Sequence, residues 1–343
     1  MKRAGVRSGQ ALGHAVLAAV LVCSCTRALA DTESAARYSA QHDERALLIW
    51  QNGRLRFERY GIDGAQDKAE NIFSITKSLC ALGTFAAIGR RALDLDEPVS
   101  LTLTEWQKDP RKRKITVRDL LNQTSGLSPG FEALYATNVR IKNQKALSLP
   151  VLTEPGERFD YGPSHYEVLE ALMARKLGES PLVWIEGVLF GPLGITPGGW
   201  RRDRLGNPYF SAGARVSARD LLAVGHLVRR KGWHWIFPLV PSSLMRTASA
   251  GSPANPIYGL GFWLNRLATD KRAVEIDVEE AIASSRLSWD RRCLSRSAPP
   301  DMIAMVGSRG QRVYVSSSKR LIIVRLGSQS GFRDPDFLRA FFR

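Results

Sequence analysis

The chain has 343 residues, 44% of them hydrophobic and 24% charged, which allows a sizeable core and excludes a disordered or fibrous protein. Its formal charge is +16, with basic clusters at 111–114, 201–204 and 228–231. These flank apolar helices and loops without any nucleic-acid motif, so no nucleic-acid partner is expected and attraction to anionic envelope surfaces or substrates is the milder reading.

At the N-terminus Lys2, Arg3 and Arg7 precede the apolar run "ALGHAVLAAVLVCSC", with small residues at Ala28 and Ala30. This pattern predicts a secretory signal peptide cleaved after Ala30, and hence a periplasmic protein. The run falls short of the about 20 apolar residues of a membrane span and contains His14, so the mature chain should have no transmembrane span. "VCSC" loosely resembles a lipobox, which makes lipid attachment at Cys25 the alternative. Without residues 1–30, which hold four of the 49 basic residues and no acid, 45 basic residues remain against 33 acidic ones. Of the cysteines only Cys80 and Cys293 remain, and the apolar stretch around Cys80 favours a buried thiol over a disulfide. His42, His165, His226 and His234 lack metal-ligand spacing, so no metal is expected.

A short helix is predicted around 33–44. "ALLIWQNGRLRFERYG" then reads as two strands joined by a tight turn at Asn52-Gly53. Residues 74–90 switch to a helical stripe of Leu79, Leu82, Phe85 and Ala86. Further helices are predicted at "TVRDLLNQ" behind a Thr116 cap with Asp119 three residues on, at "HYEVLEALMARKLG" up to Gly178, at "PLVWIEGVL" before a Gly191-Pro192 breaker, and from Ser217 to Gly232. "YGLGFWLN", "QRVYVS" and "RLIIVRLG" return to strand character, and "DPDFLRAFFR" reads as a closing helix. Strands at both ends and helices between predict an α/β (α+β) architecture: an antiparallel sheet flanked by helices with an inserted, mostly helical lobe. The sheet lobe is placed at about 31–74 plus 255–343 and the helical lobe at about 75–254, with the chain a monomer.

Three segments carry candidate chemistry. In "NIFSITKSL", Ser74 and Lys77 are three residues apart on one helical face, at a helix start whose free N–H groups stabilise an oxyanion. Desolvation beside an apolar helix lowers a lysine pKa and lets it take the serine proton. A helix cap followed by a snorkelling lysine gives the same spacing. In "PGERFDYGPSHY", Tyr161 sits in a Gly/Pro-punctuated loop, where a phenol of lowered pKa can act as base and then as acid; Tyr166 reads as a packed helical residue. In "AMVGSRGQRVYVSS", Gly307 permits close approach of a ligand to a strand edge, and the Ser308 N–H can join that of Ser74 in an oxyanion hole.

Taken in order, these segments resemble the serine β-lactamase and penicillin-binding-protein superfamily, in particular the branch with class C β-lactamases, D-alanyl-D-alanine carboxypeptidases, esterases and 6-aminohexanoate-dimer hydrolases. "SITK", "LDLDEPVS", "ITVRDLLNQTSGL", "YGPSHY", "GNPYFSAGARVSARDLL", "YGLGFWL" and "GSRGQRVYV" carry the resemblance over about 45–327. It implies Ser74 as acylated nucleophile, Lys77 as its proton partner, Tyr161 as general base, and no cofactor. Two departures matter. Pro163 stands where many relatives have an asparagine, and Met305 falls where β-lactam-handling relatives have a cation, with Arg309 or Arg312 as substitutes. Pro163, Met305, Gly307 and Arg309 are the expected substrate-binding positions. The resemblance implies a serine hydrolase acting on a small-molecule or short-peptide ester or amide. β-Lactamase or carboxypeptidase activity, or a noncatalytic envelope-binding role, are the alternatives.

Overall fold

Asn52 and Gly53 take φ angles of 52° and 93°, and the chain reverses there between β1 (Glu44–Gln51) and β2 (Arg54–Tyr60). This is the outer part of the fold in a computed structural model that describes residues 32–136, 139–284, 287–329 and 331–343. The expected signal segment, residues 1–30, lies outside the described residues. The remaining strands come from the C-terminal part: β3 (Tyr258–Gly259), β4 (Phe262–Leu264), β5 (Ile303–Gly307), β6 (Gln311–Ser316) and β7 (Leu321–Gly327). They form one antiparallel sheet in the order β2-β1-β7-β6-β5-β4-β3. The two ends of the sequence thus meet where β1 pairs with β7, with Leu48 opposite Val324.

The pleat sorts the strand residues into two cores. Leu48, Val313, Met305 and Val324 face one, with α2 (Ile75–Gly89) and α6 (Ala218–Arg229). Leu47, Ile49, Ala304, Tyr314 and Ile323 face the other, with α1 (32–40) and α8 (Asp334–Phe341). Both faces are covered, so β6 and β7 are buried along their whole length.

Between β2 and β3 lie α3 (Val117–Asn122), α4 (Phe131–Tyr135), α5 (Ser164–Leu177) and α6. Thr116 with Asp119 and Ser217 with Asp220 close reciprocal capping boxes at the starts of α3 and α6, and Gly178 ends α5 at φ 68°. Two predicted boundaries differ. Gly191-Pro192 does not break its helix: a π turn at Glu186–Phe190 leads into a further turn, Gly191–Leu193, whose first positions need no proline N–H. "YGLGFWLN" is two strands, because Leu260 (φ 45°) and Gly261 (φ 97°) turn the chain between β3 and β4. Cys80 and Cys293 are both free and buried. Among the described residues no helix is long and apolar enough to cross a membrane.

A buried ion cluster fixes α7 (Val278–Ala283) and α8 against β6. The Arg312 guanidinium, fully buried, donates to Asp334 through Nε (2.7 Å) and Nη2 (3.2 Å) and to Glu279 through Nη1 (3.0 Å); Tyr314 also donates to Asp334. Removing one partner leaves an uncompensated buried charge. Asp334→Ala is therefore expected to lower the unfolding free energy by about 3–5 kcal/mol, read from the urea midpoint at constant m-value. A loss below about 1 kcal/mol contradicts this account.

Candidate active site

The turn before α2 is held open by side chains. Asn71 Oδ1 accepts from the Phe73 N–H at 2.9 Å, and Phe73 takes φ 45°, a left-handed conformation that costs a residue with a Cβ about 1–2 kcal/mol. Ser74 follows as the N-terminal flank of α2. Gly307, at the end of β5, packs against this turn: a Cβ there would lie 2.2 Å from the Ile72 carbonyl oxygen, so only glycine brings the strand edge so close. The Ser74 and Ser308 N–H groups find no acceptor among the described residues, and both residues line the same cleft.

Lys77 points along the same face as Ser74. Its Nζ donates to Ser74 Oγ at 3.1 Å and to the Ser211 carbonyl oxygen at 2.8 Å. The side chain is 2% exposed, and burial pulls its pKa down to about 7 against the opposing pull of Glu167. The Tyr161 ring lies 4.9 Å from Lys77 Nζ. Burial pushes the Tyr161 pKa well above the ordinary phenol value, Tyr258 adds to the rise, and a hydrogen bond with Ser74 opposes it. This corrects the expected lowered phenol pKa: with aromatic neighbours on several sides, Tyr161 is held as a neutral hydroxyl, and the lowered base bonded to Ser74 is Lys77.

Gln123 builds the Tyr161 loop. At φ 57° its backbone turns, its Oε1 accepts from the Gly162 N–H at 2.8 Å, and its Nε2 donates to the Tyr258 hydroxyl at 2.8 Å. His165 pairs with Ser125 Oγ (2.9 Å) and the Asp160 carbonyl oxygen (2.8 Å), and burial holds it neutral, its pKa near 4. Tyr166, fully buried in α5, is the packed residue the sequence suggested.

The cleft above Ser74 encloses about 350 Å³, within the usual range for small-molecule sites. Tyr161, Gly307 and Ser308 line it together with Tyr135, Arg201 and Glu279. Phe131, Tyr161 and Ile282 are shared with an adjoining groove of about 520 Å³ that reaches Phe159 and Trp289. Among the described residues no group of acidic, histidine or cysteine side chains is disposed to hold a metal.

Two expected binding positions, Met305 and Pro163, fall elsewhere, as does Arg312, the alternative to Arg309 as a cation. Met305 is fully buried in the core because the pleat turns it away from the cleft, while its neighbour Val306 lines it. Pro163 is buried at the start of α5, where its carbonyl accepts the N–H groups of Tyr166 and Glu167. Arg312 is committed to Asp334 and Glu279. Arg309 stays exposed at the rim, its guanidinium 5.3 Å from the centre of the Phe73 ring.

Glu167 and Ser211 escaped the reading of the sequence. Glu167, 1% exposed on α5, accepts from Ser211 N at 3.1 Å and Ser211 Oγ at 2.5 Å. The Ser211 peptide thus reaches Glu167 with its N–H and Lys77 with its carbonyl. Glu167 and Glu170 inside a helix buried along most of its length were the available signal.

A helix-start serine bonded to a buried lysine, in a cleft between an antiparallel sheet and a helical lobe, is the arrangement of the serine β-lactamase and penicillin-binding-protein fold. The chain belongs to the Beta-lactamase family, which matches residues 29–341. Among solved structures it is similar to EstCE1, a hydrolase with promiscuous acyltransferase activity (TM-score 0.68, 18% identity, 93% of this chain and 100% of that one). It is similar also to a penicillin-binding protein from Bacillus halodurans (TM-score 0.62, 16% identity, 89% and 97%). The acyltransferase calJ of Penicillium decumbens is 28% identical over 124 residues, 29% of this chain and 30% of that protein, so the match spans under a third of the curated relative.

Proposed function

We propose that the protein is an exported serine hydrolase that cleaves an ester or amide through a Ser74 acyl-enzyme. The observation that carries this reading is Lys77 Nζ, buried, 3.1 Å from Ser74 Oγ and with a pKa near 7, so that a neutral amine is available to the nucleophile. In the proposed course Ser74 Oγ attacks the carbonyl carbon and Lys77 takes its proton. The Ser74 and Ser308 N–H groups hold the oxyanion. The Tyr161 hydroxyl passes a proton to the departing alcohol or amine and recovers one from Lys77. Water then attacks the acyl-enzyme by the reverse proton path, releasing the acid and restoring Ser74.

The cleft favours neutral acyl donors over those held through a carboxylate beside Gly307. Met305 is in the core, Arg312 is neutralised and Glu279 lines that end, which leaves Arg309 at the exposed rim and Arg201 across the lining as cations near the cleft among the described residues. β-Lactams and D-alanyl-D-alanine peptides are accordingly expected to turn over far more slowly than activated esters. The names of EstCE1 and calJ make alcohols and amines worth including as acyl acceptors beside water.

The test is a panel of activated esters, amides, β-lactams and D-alanyl-D-alanine peptides, with mass detection of adducts on the Ser74 peptide and quantitation of product. An ester-derived adduct that decays as acid is released is the expected result. No adduct and no turnover across all classes, with ligand binding retained, points instead to a noncatalytic envelope-binding role.

A further inference from the structure

Beyond α6 the chain forms a small hairpin, Trp233–His234 paired with Phe237–Pro238, whose tip the core does not use. Trp235, Ile236 and Phe237 are 74%, 76% and 64% exposed, in one continuous run, whereas exposed apolar residues are ordinarily scattered singly. The stem is fixed: Trp233 Nε1 donates to Ser242 Oγ at 3.0 Å, and that hydroxyl donates to the Lys231 carbonyl at 2.8 Å. Trp235 turns the chain at φ 52°, so the apolar side chains are presented by a defined turn.

The surround is cationic. Arg229, Arg230 and Lys231 lead into the hairpin, and the Arg230 guanidinium lies 5.5 Å from the Trp235 ring centre. Ser317 Oγ donates to the Arg229 carbonyl at 3.1 Å, which brings in the β6–β7 turn with exposed Lys319 and Arg320. The Asn52 N–H donates to the Arg320 carbonyl at 3.0 Å, which brings in the β1–β2 turn and exposed Arg54. None of these cations is paired with a carboxylate among the described residues; Asp301 bonds the β6–β7 turn through Ser316, Ser317 and Ser318.

We propose that this end of the molecule docks on an anionic phospholipid surface, the hairpin tip seated among the headgroups and the cations of 229–231 and the two adjoining turns facing the phosphates. Aromatic rings at the polar boundary and lysine or arginine above it are the two elements that such surfaces reward. A second copy of the chain fits less well, since it would bring the same unpaired cations face to face. Docking leaves the cleft free. β6 runs from Gln311, paired with cleft-lining Gly307, to Ser316 beside the patch, about 17 Å along the strand at 3.3–3.4 Å per residue.

The test is co-sedimentation of the purified protein with vesicles of phosphatidylcholine containing phosphatidylglycerol, against phosphatidylcholine alone, at low and high salt. The protein used begins after Ala30, so the apolar run of residues 11–25 contributes to neither vesicle type. Binding to the anionic vesicles only, weakened by salt, is expected. Partitioning should fall about tenfold or more both in the tip variant Trp235→Ser with Ile236→Ser and in the charge variant Arg230→Glu with Lys231→Glu, each keeping the wild-type thermal midpoint. Equal binding to neutral vesicles, no binding, or a tip variant that pellets like wild type overturns the proposal. So does a tip variant that only shifts sedimentation from dimer to monomer, which assigns the hairpin to a second copy.

Discussion

Ser74→Ala is expected to abolish the acyl adduct and to lower turnover of an activated ester by about 10⁴-fold or more, with the fold intact. The fold should survive because Ser74 makes no side-chain capping bond to α2. Its hydroxyl is partnered by Lys77, and once it is gone that amine still donates to the Ser211 carbonyl. The loss is large because Lys77 Nζ bonds no other hydroxyl among the described residues. Ser211 Oγ is bonded to Glu167, and Ser78 Oγ donates to the Gly261 carbonyl at 2.7 Å. Adduct mass on the Ser74 peptide and the thermal midpoint, measured on one preparation, separate loss of chemistry from loss of structure. An adduct that persists in the variant rejects Ser74 as the nucleophile.

What was legible in the sequence was local. Asn52-Gly53, Thr116 with Asp119, Ser217 and Gly178 each carry their conformational reason in their own few residues, and each sits where that reason places it. The Ser74–Lys77 pair was legible because one helical turn joins them. Tyr161 joined them only through the order of motifs in a resemblance, since 84 residues of chain separate it from Lys77 and no local pattern encodes such proximity. The resemblance put Met305 at the cleft, but the side-chain period of a strand is two, and the pleat assigns Met305 to the core beside Val313 and Val324. Arg312 looked like an available cation because charge is visible in a sequence and the carboxylates that consume it, on α7 and α8, are not. Glu167 was missed for the complementary reason: a buried acid acquires its role from Ser211, 44 residues onward.

Turnover should rise about a hundredfold from pH 5 to a plateau above pH 8, along a limb centred near pH 7. The direction follows from which form of Lys77 works. The neutral amine accepts the Ser74 proton and the ammonium cannot, so activity is lost as pH falls through the lowered pKa of about 7. The groups around the amine define what else can move the limb. Glu167 on α5, its own pKa raised by burial, favours the ammonium when ionised, while the raised thiol of Cys80, His165, neutral above about pH 4, and the raised phenols of Tyr161 and Tyr166 stay uncharged throughout. Glu167→Gln removes the charge that holds the Lys77 pKa up, and should carry the limb toward lower pH. Glu170, pushed up to about 8, and Asp277, pushed up to about 7, also titrate near the limb. Lys77→Ala discriminates, because it should cost about 10²–10⁴-fold and flatten the profile, whereas a limb due to either carboxyl group would persist in that variant. A Lys77→Ala profile that keeps its rise near pH 7 would transfer the proton-accepting role away from the lysine.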